Sequence, residues 1–212
     1  MTATATHELT AQEIADRFGP IPLRRVRLTP YPATDEDILH IHDTEGRLYE
    51  LIDGILLEKT TGLRESFLAM FIGRMLGNFV EGRNLGAVTG PDGMMRLTGT
   101  IVRIPDVAFM RWEQFPGGRI QATPIPELYP DLAVEVLSAG NTAREMDGKL
   151  ADYFAAGTSL VWFVDPRDRT VTVFASPDRS LAVRLAESET LDGGSVLPGF
   201  ALAVRAIFAE LA

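Results

Sequence analysis

The 212-residue chain contains no cysteine. A disulfide framework, a thiolate-bound zinc and a cysteine nucleophile are excluded together. The absence fits a reducing cytosol, and a cytoplasmic placement is expected. Histidine is scarce: His7, His40 and His42 are the whole set. His40 and His42 are two apart, about 200° around a helix, which argues against a shared metal. A Ser-His-Asp triad would have to draw on these peripheral positions. No run of about 18 apolar residues occurs, so no transmembrane helix is expected and no membrane partner. The start, MTATATHELTAQEIADRF, lacks a basic segment ahead of an apolar core, so no secretory leader is expected. Positive charge is also short. Lys plus Arg number 20 against 29 Asp plus Glu, a net charge of −9. A uniformly basic nucleic-acid binder is excluded, while a local basic groove is not. There is no GxGxxG after a strand, no Walker loop and no GxSxG elbow.

What is present, 46% hydrophobic and 23% charged residues, is ordinary for a globular chain. Residues 1 to about 33 hold a short amphipathic stretch, Thr10 to Arg17, with Glu13 placed for a capping box. Gly19, Pro20, Pro22, Pro30 and Pro32 follow, and the whole reads as a loosely attached arm ahead of a domain at 34–212. Thr34-Asp-Glu-Asp37 opens a short capped helix. Leu48 to Leu57 reads as a hairpin turned at Asp53-Gly54. Residues 63 to 81 read as a helix, with Phe67, Met70, Phe71, Arg74, Met75, Asn78 and Phe79 marking its period. Short strands are expected near 86–90, 94–98, 101–104 and 106–110, then a long loop over 111–130. Leu132 to Leu137 is a central strand, Thr142 to Ala156 a helix closed by Gly157, and Leu160 to Val164 a second buried strand. That unit predicts a parallel crossover. Two strand-like pieces and an apolar helix over 203–211 close the chain. The fold class expected is α/β with an α+β character: a mixed sheet flanked by helices.

The informative residues are acids in apolar strands. Glu135 sits within Leu-Ala-Val-Glu-Val-Leu, sharing a strand face with Ala133 and Leu137. An unpaired carboxylate there costs several kcal/mol, so it needs a metal, a cation or donors. Glu50 poses the same question within Leu-Tyr-Glu-Leu-Ile. Asp106 stands at the mouth of a strand. Three such acids point to a hard-cation site of oxygen ligands. Lys149, 14 residues after Glu135, lies at the edge of a helical apolar stripe from which it could reach that acid. Two carboxylates holding Mg²⁺ or Mn²⁺ beside a lysine that positions or helps deprotonate the attacking water, and stabilises charge in the transition state, suit phosphodiester hydrolysis. Each residue also has a plainer explanation. Lys149 is four residues after Glu145, a surface helix pair. Asp106 could open a strand, Glu135 could pair with a buried arginine, and Glu50 could face solvent on a strand edge. Arg24, Arg25, Arg27 and Arg47 could touch phosphates, and Trp112, Phe115 and Trp162 could stack bases. A solvated strand and core packing explain these more simply. Asp92 in Pro-Asp-Gly reads as a turn residue.

Six stretches together resemble a bacterial restriction-endonuclease-like family of the PD-(D/E)XK nuclease superfamily. They are Tyr49-Glu-Leu-Ile-Asp-Gly54, Ile104-Pro-Asp-Val-Ala-Phe109, Pro130-Asp-Leu-Ala-Val-Glu-Val-Leu-Ser138, Lys149-Leu-Ala-Asp-Tyr-Phe-Ala-Ala-Gly157, Val161-Trp-Phe-Val-Asp-Pro166 and Leu197-Pro-Gly-Phe200. The resemblance implies a restriction-endonuclease-like mixed sheet core. It implies Asp106 and Glu135 as metal-binding acids and Glu50 as the family's early glutamate, binding directly or through water. The lysine usual two residues after the second acid is here Leu137, and the resemblance implies Lys149 as its replacement. Where members often carry a histidine, this chain has Leu63-Arg-Glu-Ser66. The implied activity is a metal-dependent DNA endonuclease; a small acidic domain offers little surface for base readout, which favours a structure-selective or repair-like nuclease over a sequence-specific one. A homodimer is expected, because duplex cleavage needs two sites. The alternatives are a catalytically inactive binding module for nucleic acid or protein, which the net charge favours, and, more remotely, a carboxylate-pair glycosidase that would leave Lys149 without a role.

Overall fold

The computed structural model describes residues 9–29, 31–60 and 62–211. His7 and Pro30 lie outside them. Helix α1 (Ala11–Phe18) begins at Thr10, whose side chain and Glu13 form the capping box. Strand β1 (Val26–Arg27) leads to α2 (Asp35–Glu45), capped by Thr34 and Asp37. Strands β2 (Tyr49–Ile52) and β3 (Ile55–Glu58) form the hairpin. Its turn residues Asp53 and Gly54 take φ of 48° and 81°, which the primed two-residue turn requires. Helix α3 (Leu63–Glu81) follows, then β4 (Gly86–Thr89), β5 (Met95–Thr98), β6 (Ile101–Arg103) and β7 (Val107–Arg111). After the long loop come β8 (Leu132–Val136), α4 (Ala143–Ala156), β9 (Leu160–Asp165) and β10 (Thr170–Phe174). Strands β11 (Val183–Leu185), β12 (Thr190–Gly193) and β13 (Leu197–Ala203) precede a single turn, α5 (Val204–Ile207).

Two sheets organise these elements. One has the order β1-β3-β2-β6-β5, the other β11-β10-β9-β8-β7-β4, and β12 pairs with β13 alone. The pairing of β8 with β9 is parallel and crosses over through α4, as the sequence predicts. The other pairs of the six-stranded sheet are antiparallel. This mixed sheet is covered on both faces. Ala133 joins one core with Met146, Leu150 and Tyr153 of α4. Leu132, Val134 and Val136 join the opposite core with α3. Central strand β8 therefore reads as a continuous apolar run interrupted by one acid.

Three expectations need correction. The arm is not loosely attached: Ile14, Phe18 and Ile21 are buried in the core, and the Thr142 hydroxyl donates to the Phe18 carbonyl. The face of α3 is rotated. Leu68, Ala69, Ile72, Leu76 and Val80 are buried, while Met70 is 69% exposed. The helix is apolar around most of its circumference, so period alone does not choose a side. The buried stripe is the one free of Arg74 and Asn78. The final helix is a single turn, because residues to Ala203 pair in β13 and the Arg169 guanidinium binds the carbonyls of Phe208 and Leu211. No helix among the described residues is long and apolar enough to cross a membrane.

Candidate active site

The four singled-out residues come together between the two sheets. Asp106 enters β7 one residue before Val107, which pairs with Val134, the neighbour of Glu135. Asp106 is fixed there twice. Its N–H donates to the Val134 carbonyl (3.0 Å), and its Oδ2 accepts from the Val136 N–H (2.7 Å). Both acids, with Glu50 and Lys149, line one cavity of about 20 Å³, room for about one water molecule.

Lys149 is not a surface helix residue. It is buried, and its ammonium donates to both oxygens of Glu135 (3.1 and 3.0 Å) and lies 3.1 Å from Glu50 Oε1. Its nominal helix partner, Glu145, instead forms a buried pair with Arg25, with contacts of 3.0 and 2.8 Å. Burial alone would lower the Lys149 pKa. The Glu135 and Glu50 carboxylates outweigh it and raise the pKa above its ordinary value. Lys149 is thereby favoured as an ammonium that donates to Glu135 beside Glu50.

Glu50 is held at both oxygens. Arg103 Nη1 donates to its Oε2 (2.8 Å) and the Ile104 N–H to its Oε1 (3.1 Å). Burial pushes its pKa up, but the charges of Lys149 and Arg103 win and hold it at about 2. Glu135 is pushed the other way, above its ordinary value. Burial is the chief cause, Lys149 opposes it, and the neighbouring Asp106 charge adds to it. Tyr153 donates its hydroxyl to Glu135 Oε1 (2.6 Å). Burial, then the charges of Glu135 and Glu50, raise the phenol well above its ordinary value, so it remains a donor.

Three participants escape the sequence reading, and a fourth, Arg25, figures in it only as a possible phosphate contact. Lys59 reaches Asp106 Oδ1 at 2.8 Å and also donates to the Ile104 carbonyl. Arg103 binds Glu50 and Asp152, the latter at 2.5 and 2.9 Å. Tyr153 appears in the sequence only as part of an apolar stripe. Arg25 closes the floor of the cavity through Glu145. Arg103, an ion inside Ile-Val-Arg-Ile, carries the same signal that marks Glu135 and could have been found by it. Of the other arginines considered for phosphate contact, Arg27 pairs with Glu45 and Arg47 with Glu58, while Arg24 is exposed. Trp162 is core, stacked on Phe200 at 5.9 Å, and Trp112 packs against Phe115. His40 and His42 are exposed.

A divalent cation fits part of this donor set. Asp106 and Glu135 are adjacent, buried, oxygen-bearing acids whose mutual repulsion a cation would relieve. The oxygens of Glu50 accept from Arg103 and the Ile104 N–H beside Lys149, those of Glu135 from Lys149 and Tyr153, and those of Asp106 from the Val136 N–H beside Lys59, so a cation would add to or displace these contacts. No group of three or more His, Cys, Asp or Glu residues is disposed to hold a metal among the described residues.

No curated protein matches the chain. Its fold is similar to that of a crystal structure from Anabaena variabilis ATCC 29413, described as a "putative nuclease belonging to DUF820". The TM-score is 0.71 at 20% identity, covering 84% of this chain and 98% of that one. The mixed sheet flanked by helices is thus a fold shared with that structure. A family model, Uma2, described as "Putative restriction endonuclease", matches residues 35–205, and the chain belongs to that family.

Proposed function

We propose that the protein is a Mg²⁺- or Mn²⁺-dependent phosphodiesterase acting on DNA. The observation that carries this is the placement of Asp106 and Glu135 in one buried cavity, with the Lys149 ammonium on Glu135. Asp106 and Glu135 would hold the cation, which when bound supplies Lewis acidity and screening of phosphate charge. Lys149, kept protonated by Glu135 and Glu50, offers a fixed positive charge to the anion that develops during hydrolysis. Glu50 serves chiefly to hold Lys149, with Arg103 fixing Glu50 in turn. Tyr153 fixes the orientation of the Glu135 carboxylate. Duplex cleavage calls for two sites, and a homodimer belongs to this reading.

The test is incubation with linear duplex, branched and single-stranded DNA in Mg²⁺ or Mn²⁺. Fragmentation that chelation stops is the expected result. A second reading, a binding module without turnover, draws support from the internal pairing of Arg25, Arg27 and Arg47, which leaves less positive charge for a polyanion. DNA retention without fragmentation in any metal would favour it.

A further inference from the structure

Lys59 is a lysine of the site that neither the family resemblance nor the proposed chemistry uses. Its backbone is anchored beyond the end of β3, where its N–H donates to the Leu48 carbonyl (2.9 Å). Its side chain is only 5% exposed. A buried ammonium is costly unless charge and hydrogen bonds compensate it. Here the compensation comes from Asp106 Oδ1 and the Ile104 carbonyl. The other Asp106 oxygen is taken by the Val136 N–H. Lys59 therefore sits on the Asp106 oxygen that the Val136 N–H leaves free.

The two lysines differ in how firmly they are held. Among the described residues Lys149 contacts two carboxylates, Glu135 and Glu50, whereas Lys59 has one carboxylate within ion-pair distance. A divalent ion arriving between Asp106 and Glu135 repels both ammonium groups, and the one with fewer anionic contacts yields first. We propose that Lys59 is a tethered counter-ion that competes with the divalent cation for Asp106. It keeps the metal-free site neutralised and sets the metal concentration at which the site fills. This rests on the reading of Asp106 and Glu135 as the cation pair.

The experiment is calorimetric titration of Mn²⁺ into the wild-type protein, Lys59→Met and Lys59→Gln, with Asp106→Asn as control. The glutamine variant keeps a donor for the Ile104 carbonyl without the charge, so it guards against a methionine variant that folds poorly. Both neutral variants are expected to bind Mn²⁺ at least about tenfold more tightly than wild type. Their metal-free melting temperatures fall, and Mn²⁺ raises them more than it raises that of wild type, because binding to the folded state alone stabilises it. Asp106→Asn loses binding. Unchanged or weaker binding in both neutral variants, beside clear wild-type binding, overturns the role of Lys59 and leaves the cation pair standing. Absence of Mn²⁺ binding in the wild type and in both neutral variants overturns the cation reading and this one with it.

Discussion

Replacing Arg103 with methionine tests the charge network beneath the site. Arg103 is 2% exposed and joins Glu50 to Asp152. Methionine keeps much of its length but removes every donor. Glu50 then remains buried with Lys149 and one backbone N–H, while Asp152, whose side chain is 21% exposed, is partly rehydrated. Removing one partner of a buried pair costs about 3–5 kcal/mol. In a chain of this size each kcal/mol moves the melting temperature by about 2–4 °C, so a fall of about 6–20 °C is expected. Urea unfolding followed by far-ultraviolet circular dichroism reads the same quantity, with the midpoint lowered and the slope unchanged. The double variant Arg103→Met/Glu50→Gln should cost less than the sum of its single changes, by about 1–3 kcal/mol. Acid adds a second axis. Glu50 is held at about 2 in the folded protein against an ordinary 4.5. Its contribution is therefore complete above pH 4.5 and lost as pH falls through about 2. Without Arg103 the folded value rises, so the loss begins at higher pH. A destabilisation under about 1 kcal/mol, or strict additivity in the double variant, would refute the reasoning.

Lys149→Met should cut metal-dependent DNA cleavage by about 10²–10³-fold, checked in single-turnover assays. Phe18→Ala, in the helix read from sequence as a loose arm, should cost about 3–5 kcal/mol in urea unfolding because its ring is 2% exposed. An undocked arm would give no change. Gly86→Ala should destabilise by about 1–3 kcal/mol or more, since the added Cβ would lie 1.9 Å from the Met110 carbonyl oxygen. Its melting temperature checks this.

What the sequence discloses follows from how local the determinants are. The Asp53-Gly54 hairpin and the Thr10 and Thr34 caps depend on a few adjacent residues, and they form where the chemistry demands. Glu135 is conspicuous because an acid in an apolar strand is costly, and the structure supplies Lys149 and Tyr153 as its partners. Lys59 gives no such signal. It follows Glu58 and precedes two threonines, and only the return of Ile104 and Asp106 from a distant part of the chain buries it. The face of α3 is hidden for a different reason: an apolar helix surface offers several stripes, and the packing of β7 and β8 selects one. The arm illustrates the limit of composition, since prolines and glycines describe a path without regular structure but not whether that path is docked.

The most direct test of the central claim is the rate of DNA cleavage in Mn²⁺ by wild type and by Glu135→Gln. The substitution keeps the shape of the side chain and an oxygen to accept from Tyr153, and it removes the charge a cation needs. The account predicts fragmentation by wild type and a loss of at least about 10²-fold in the variant. Equal rates, or no cleavage by wild type in any divalent metal, would contradict it.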